Sequence, residues 1–348
     1  MVIWHRLRAA LVAGLLVLVF GCSTSSSTHP IISTTVAGST DSGTADGDLA
    51  SARFNNPVNV VNDRQGNTYV ADFDNGRVRK IDRSGLVSTV INQANFRKPF
   101  GLAFTSAGDL YVQTDDDDAL NHSGTSGTIW KVALSTSQAT VVVRGVGRPR
   151  GLLALSDGRL VLADLTHHTI SILDPATGVI TLLAGKADTT GFVNAKGVNA
   201  RFNRPYGLSL ANNGDIIVAD ANNHCIRRVT MTGDVTTVAG SSGTSGYQDG
   251  QGTAALFNAP QDVATDVRGN IYVADCGNHR FRKIDSLGNV STIAGDGSAG
   301  YKDGAALNME FFAMEGMDIT SDGSALIIAD GTGGENVPFH HVRRLTLP

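Results

Sequence analysis

Cysteine is scarce, with three in 348 residues. That excludes a disulfide-dense scaffold and the spaced cysteine clusters of structural zinc sites. Basic residues are outnumbered: 28 Lys and Arg stand against 32 Asp and Glu, a formal charge of −4. A nucleic-acid partner held through bulk charge needs the opposite balance. Linear catalytic signatures are also missing: there is no Gly-x-Ser-x-Gly elbow, His-Glu-x-x-His pair or phosphate loop. What is abundant is glycine, 40 residues against 13 Phe. That ratio fits many short strands and tight turns better than long helices.

The N-terminus reads as a processing signal. His5, Arg6 and Arg8 precede an apolar run from Ala9 to Phe20, which is too short to span a bilayer comfortably. Val19-Phe20-Gly21-Cys22 follows, and then a Ser/Thr-rich stretch. This resembles the bacterial lipobox, which implies a signal peptide over residues 1–21, lipidation of Cys22 and a tether over 22–31. Without Arg6 and Arg8 the mature charge is −6 (−4 minus 2). The expected location is the cell envelope, lipid-anchored. Ser23 after the cysteine points to the outer membrane, facing the periplasm, where the source has two membranes.

The rest of the chain aligns to itself. Five prolines, Pro57, Pro99, Pro149, Pro205 and Pro260, each open a short apolar strand, and Met314 keeps the frame in a sixth copy. These positions are 42, 50, 56, 55 and 54 residues apart. A Gly-containing turn follows each, and then a strand ending in Ala-Asp at Asp72, Asp164, Asp220, Asp275 and Asp330. The second copy reads Tyr111-Val-Gln-Thr114 and breaks the rule. A third strand carries a basic pair, as in Val78-Arg-Lys-Ile81 and Ile226-Arg-Arg-Val229, and a Thr/Val-rich fourth strand closes the unit. Phe54, Phe96, Phe202, Phe257 and Phe311 recur three residues before the repeat position. Four short strands per unit at this period make a propeller blade. The expected fold is all-β, a six-bladed β-propeller over residues 32–348.

Closure is legible as well. The sixth unit ends after its third strand, and Ile32-Ser-Thr-Thr-Val-Ala-Gly38 matches the fourth strand Val290 to Gly295. The N-terminal strand is therefore predicted to complete the last blade and spare the ring an exposed edge. Asp220-Ala-Asn-Asn-His-Cys-Ile-Arg227 and Asp275-Cys-Gly-Asn-His-Arg-Phe-Arg282 resemble the core of the NHL repeat. The resemblance covers essentially all of the mature chain and implies a propeller that usually binds something; it fixes no activity.

Four features are candidates for chemistry. His168, His224 and His279 recur once per blade, with His340 or His341 near the sixth position. Such recurrence favours a structural role, and His167 and His341 stand outside the strict pattern. Asp115, Asp116, Asp117 and Asp118 replace the turn of the second blade and lead an insertion containing His122. Clustered oxygens suit Ca²⁺ and histidines suit Zn²⁺, but a solvated acidic loop is the simpler reading. Cys225 and Cys276, on adjacent blades of an exported protein, are candidates for a disulfide or for two buried thiols. Finally, the turn after strand two and the inter-blade link share one face, which gathers the acidic insertion and the segment 331–339.

The favoured functional reading is a monomeric binding or scaffold module that holds an envelope protein, peptide or glycan. The alternative is a metal-dependent propeller enzyme of lyase or lactonase type. That reading requires Asp115 to Asp118, His122, His167 and His341 to converge on the central channel.

Overall fold

The computed structural model describes residues 30–348. Cys22 and the leader lie outside the described residues. Six antiparallel sheets form, one per repeat. Their innermost strands are Pro57–Asn62, Pro99–Phe104, Pro149–Ala154, Pro205–Leu210, Pro260–Thr265 and Ala313–Ile319. Each inner strand touches that of the next blade, and the sixth touches the first, so the ring is closed. Proline at the head of a strand leaves the ladder intact because its missing N–H faces no partner there. Right after it, the pairing shifts register in every blade. These bulges twist the inner strands so that neighbours approach closely. Gly207 is required at one such approach, since a Cβ there would lie 1.9 Å from Asp262 Oδ1 of the next blade.

The predicted closure holds. Strand Ile32–Ser39 pairs antiparallel with the last strand His340–Thr346, from Ser33 opposite Leu345 to Ser39 opposite His340. Asp303 fixes this seam. It accepts from Ser33 Oγ at 2.9 Å, Thr35 N at 2.6 Å and Arg343 Nη2 at 3.0 Å.

The repeat residues share one core device. Arg79, Arg227, Arg282 and Arg343, the first of each basic pair, are fully buried. Each donates to the Asp that ends strand two: Asp72, Asp220, Asp275 and Asp330, at 2.7–3.0 Å. The outer nitrogen of each reaches Asp46, Asn194, Asp249 or Asp303 on the incoming link. The repeated Phe54, Phe202, Phe257 and Phe311 lie against the same guanidiniums, 4.3–5.2 Å from ring centroid to carbon. Burial raises Asp72 and Asp220 to about 6 despite the cation beside them.

Two blades depart from this pattern as units. In blade two, Trp130 replaces the arginine and Thr114 the aspartate, and the indole N–H donates to Thr114 Oγ1 at 2.8 Å. Phe96 still packs there, edge-on to Trp130. In blade three the arginine position is Ser171 and the Phe position Val146, so Asp164 turns instead to His167. The links entering these two blades are short, which explains the 42-residue spacing before blade two. Elsewhere a long link runs down the outer edge of its blade, as Gly250 and Gln251 do against Val290 and Asn289.

Candidate functional site

The once-per-blade histidines are staples between blades. His168, His224 and His279 adopt left-handed backbone, φ between 51° and 59°, in the tight turn after strand two. His168 Nδ1 accepts from Arg204 N of blade four and His224 Nδ1 from Ala259 N of blade five, at 3.1 and 3.0 Å. In blade six it is His340 that fills the position, accepting from Asn56 N at 3.1 Å. The neighbouring turn residues bond locally: Asn223 and Asn278 donate to Asp220 and Asp275 at 2.8 Å.

The four consecutive aspartates do not converge. Asp115 is buried and receives Arg150 on both oxygens, at 2.5 and 2.9 Å, together with Arg148 at 2.5 Å. Burial pushes its carboxyl up, but the two guanidiniums outweigh burial and bring it down to about 2. Asp116 pairs with His122 at 2.6 Å. Asp117 closes a turn by accepting from Ala119 N and Asn121 N. Asp118 holds Arg144 at the surface. Among the described residues, no group of three His, Cys, Asp or Glu side chains is arranged to hold a metal ion. Of the remaining candidates, His167 bonds Asp164 at 2.5 Å. His341 is buried flat against Tyr301, with centroids 3.8 Å apart. Burial and then Arg343 lower the His341 imidazole to about 4, so it is neutral near pH 7.

Of the two alternatives for Cys225 and Cys276, the structure has the pair as free, buried thiols. Cys225 heads the third strand of blade four opposite Asp220, inside its own sheet. The Cys276 thiol points away from it, donating to Met314 O of blade six at 3.1 Å.

The side chains that do converge come from the residue after the repeat position in five of the six blades: Val58, Phe100, Arg150, Tyr206 and Glu315. Arg150 lies 4.0 Å over the Phe100 ring. Phe100 meets Tyr206 edge-on at 5.7 Å, and the Tyr206 hydroxyl donates to Glu315 Oε1 at 3.2 Å. Val58 joins the same apolar cluster as Phe100 and Tyr206. Blades one, two, three, four and six thus meet across the axis and plug the channel at its loop end, with Asp115 anchoring the plug through Arg150. Beneath Arg150, Tyr206 and Glu315 lies a cavity of about 160 Å³ walled by inner-strand residues such as Leu152, Leu208 and Met317. Asp262 and Asp318 also line it. Burial raises Asp262 to about 8 and Asp318 to about 6. His122, His167 and His341 stand outside this lining. Sequence reading missed Arg150, Tyr206 and Glu315, although a signal was present. In the self-alignment this column mixes Val, Phe, Arg, Tyr, Gln and Glu, while the column before it is proline in five copies and the column after it glycine in four.

Comparison with known proteins fits this architecture. Residues 202–229 and 257–284 match the NHL repeat. The chain is similar to NHL repeat-containing protein 2 of Bos taurus, 27% identical over 304 residues, covering 71% of this chain and 41% of the bovine protein. It spans under half the length of curated relatives it matches. Its fold is similar to an auxiliary nutrient binding protein from Bacteroides thetaiotaomicron, with TM-score 0.71 and 20% identity over 90% of this chain and 76% of that one. A gluconolactonase from Xanthomonas campestris shares the fold at TM-score 0.58 and 14% identity, covering 92% and 96%.

Proposed function

We propose that this protein is an envelope-anchored binding module, lipidated at Cys22, that presents its loop face to a protein, peptide or glycan. One observation carries the reading: the axis at that face is filled by the Phe100, Arg150, Tyr206 and Glu315 plug, locked from beside by Asp115. The loop face is thus a rigid surface with the Asp115 to Ser126 insertion and the 331–339 segment standing on it. Rigid scaffolds carrying irregular loops are how propellers bind. The fold likeness to a nutrient binding protein admits this role without assigning it.

The test is site-specific photo-crosslinking in cells, with the probe at Leu120 or Gly334 on the loop face and at Leu182 on the outer strand of blade three. Both loop-face positions should trap one common species and Leu182 should not. Indiscriminate capture from all three positions would count against the reading.

One observation keeps an enzyme in view. Glu315, its carboxyl raised by burial, sits beside the Tyr206 hydroxyl at the cavity, a place where lyase or lactonase chemistry has an acid to use. Turnover of lactone or lyase substrates that disappears in Glu315→Gln would move the protein to that class.

A further inference from the structure

The face opposite the loops carries the turns that join strands one and two and strands three and four. Single exposed apolar residues are ordinary on any surface. Five blades place one at their strand three–four turn: Leu86, Leu134, Val179, Met231 and Leu287; Leu307 joins them from the link entering blade six, where Ala306 N–H donates to Ile31 O beside the start of the ring-closing strand. Val267, at a strand one–two turn, is 88% exposed, and Leu287 is 76% exposed. The loop side offers Leu120 in its insertion and Tyr247, capped by Arg280, while Ile180, Leu182 and Val193 lie along blade edges. Turn tips need Gly, Asn, Asp or Ser for their geometry; nothing in a turn requires Leu or Val at its solvent side. No fold requirement explains an apolar ring on one face.

The same face releases the N-terminus. Ile32 pairs with Ala305, and its N–H donates to Thr346 Oγ1 at 2.7 Å, at the end of the ring-closing pair away from His340. Thr346 Oγ1 in turn donates to Pro30 O. The chain before Pro30 therefore starts at this face. Cys22 lies eight residues back, a reach of at most about 29 Å when fully extended.

We propose that this apolar ring is a membrane-contact face: it rests in the headgroup region of a lipid bilayer and turns the loop face outward. The proposal extends the anchored reading above and is separable from it. Aliphatic tips that enter the interface add to a lipid anchor as a second signal, which stable attachment needs when one chain alone is marginal.

The full chain is mixed with excess vesicles of phosphatidylethanolamine and phosphatidylglycerol whose tails carry doxyl spin labels. A fluorophore is placed at Val267→Cys or, on the opposite face, at Leu120→Cys; buried Cys225 and Cys276 stay unlabelled. The expected result is strong quenching at position 267 and little at 120. Adding Met231→Asp and Leu287→Asp should lower the quenching at 267 by about threefold or more. Equal quenching at both positions, or quenching at 120 alone, overturns the proposal. So does a 267 label shielded before lipid is added, with a doubled mass, because that occupant is a second copy. Flotation of the wild type against Cys22→Ser reads the anchor separately. A chain that floats while position 267 stays unquenched keeps its anchor and loses the membrane face.

Discussion

Arg227 shows what the repeat demands of single residues. Its guanidinium is buried with Asp220, and both are held by further partners, Asn194 and Asn223. Removing one member of a buried pair leaves the other uncompensated, which costs about 3–5 kcal/mol. Arg227→Met should lose that much in urea unfolding. The loss should be smaller at pH 5 than at pH 8, because Asp220, already raised to about 6 by burial, can then protonate. A loss independent of pH would mean the pair is not what the arginine supports. Asp262 gives the residue-scale rule its own sign. It accepts from Met317 N across the seam between blades five and six at 2.6 Å, with no cation beside it. Burial raises its folded value to about 8, above the ordinary value near 3.9. Its contribution is therefore complete below about pH 4 and is lost as pH rises toward 8. Asp262→Ala should cost more stability at pH 5 than at pH 9, measured by denaturant melts at both.

At the scale of the blade, departures come in sets, and that is why parts of the sequence were readable and parts were not. The Phe, the terminal Asp and the basic pair were each visible as repeats, but nothing in a linear pattern says that they touch. The basic pair looks like two surface residues; alternation in the strand sends Arg227 inward and leaves Arg228 exposed. Blade two reads as damaged in sequence, having lost Asp, Arg and a regular turn. In three dimensions Trp130 and Thr114 replace the ion pair with a neutral hydrogen bond, and the adjacent Asp115 finds its cations on the next blade. Thr114→Asp should therefore destabilise by about 3–5 kcal/mol, since it buries a carboxylate where Trp130 stands in place of the arginine. Trp130→Arg in the same chain should recover part of that loss. A double variant no better than the single one would show that blade two has other reasons for its tryptophan.

For the whole molecule, the decisive contact is the one that joins residue 33 to residue 345. Its existence was legible because a missing fourth strand at one end and a spare one at the other can be counted. The channel plug was not, because Arg150, Tyr206 and Glu315 belong to three blades and meet only once the ring closes. A closed ring buries both faces of every blade, so stability is shared around it; an open array of repeats frays from its ends. The ring-closing strand is noncovalent, and its polar fastening runs through Asp303. Burial raises the Asp303 carboxyl, but bonds from Thr35 and Ser33 and the charge of Arg343 bring it below the ordinary value. A depressed carboxylate contributes stability above its unfolded value and loses it as pH falls through the folded one. Acid should accordingly open this seam before the rest of the ring. Hydrogen exchange as pH is lowered toward 3 should show strands Ile32–Ser39 and His340–Thr346 gaining exchange, corrected for intrinsic rate, ahead of Ile216–Asp220 in blade four. Asp303→Asn should show the early opening already at pH 7. Uniform loss of protection around the ring would place the weakest point elsewhere and leave Asp303 as one surface bond among many.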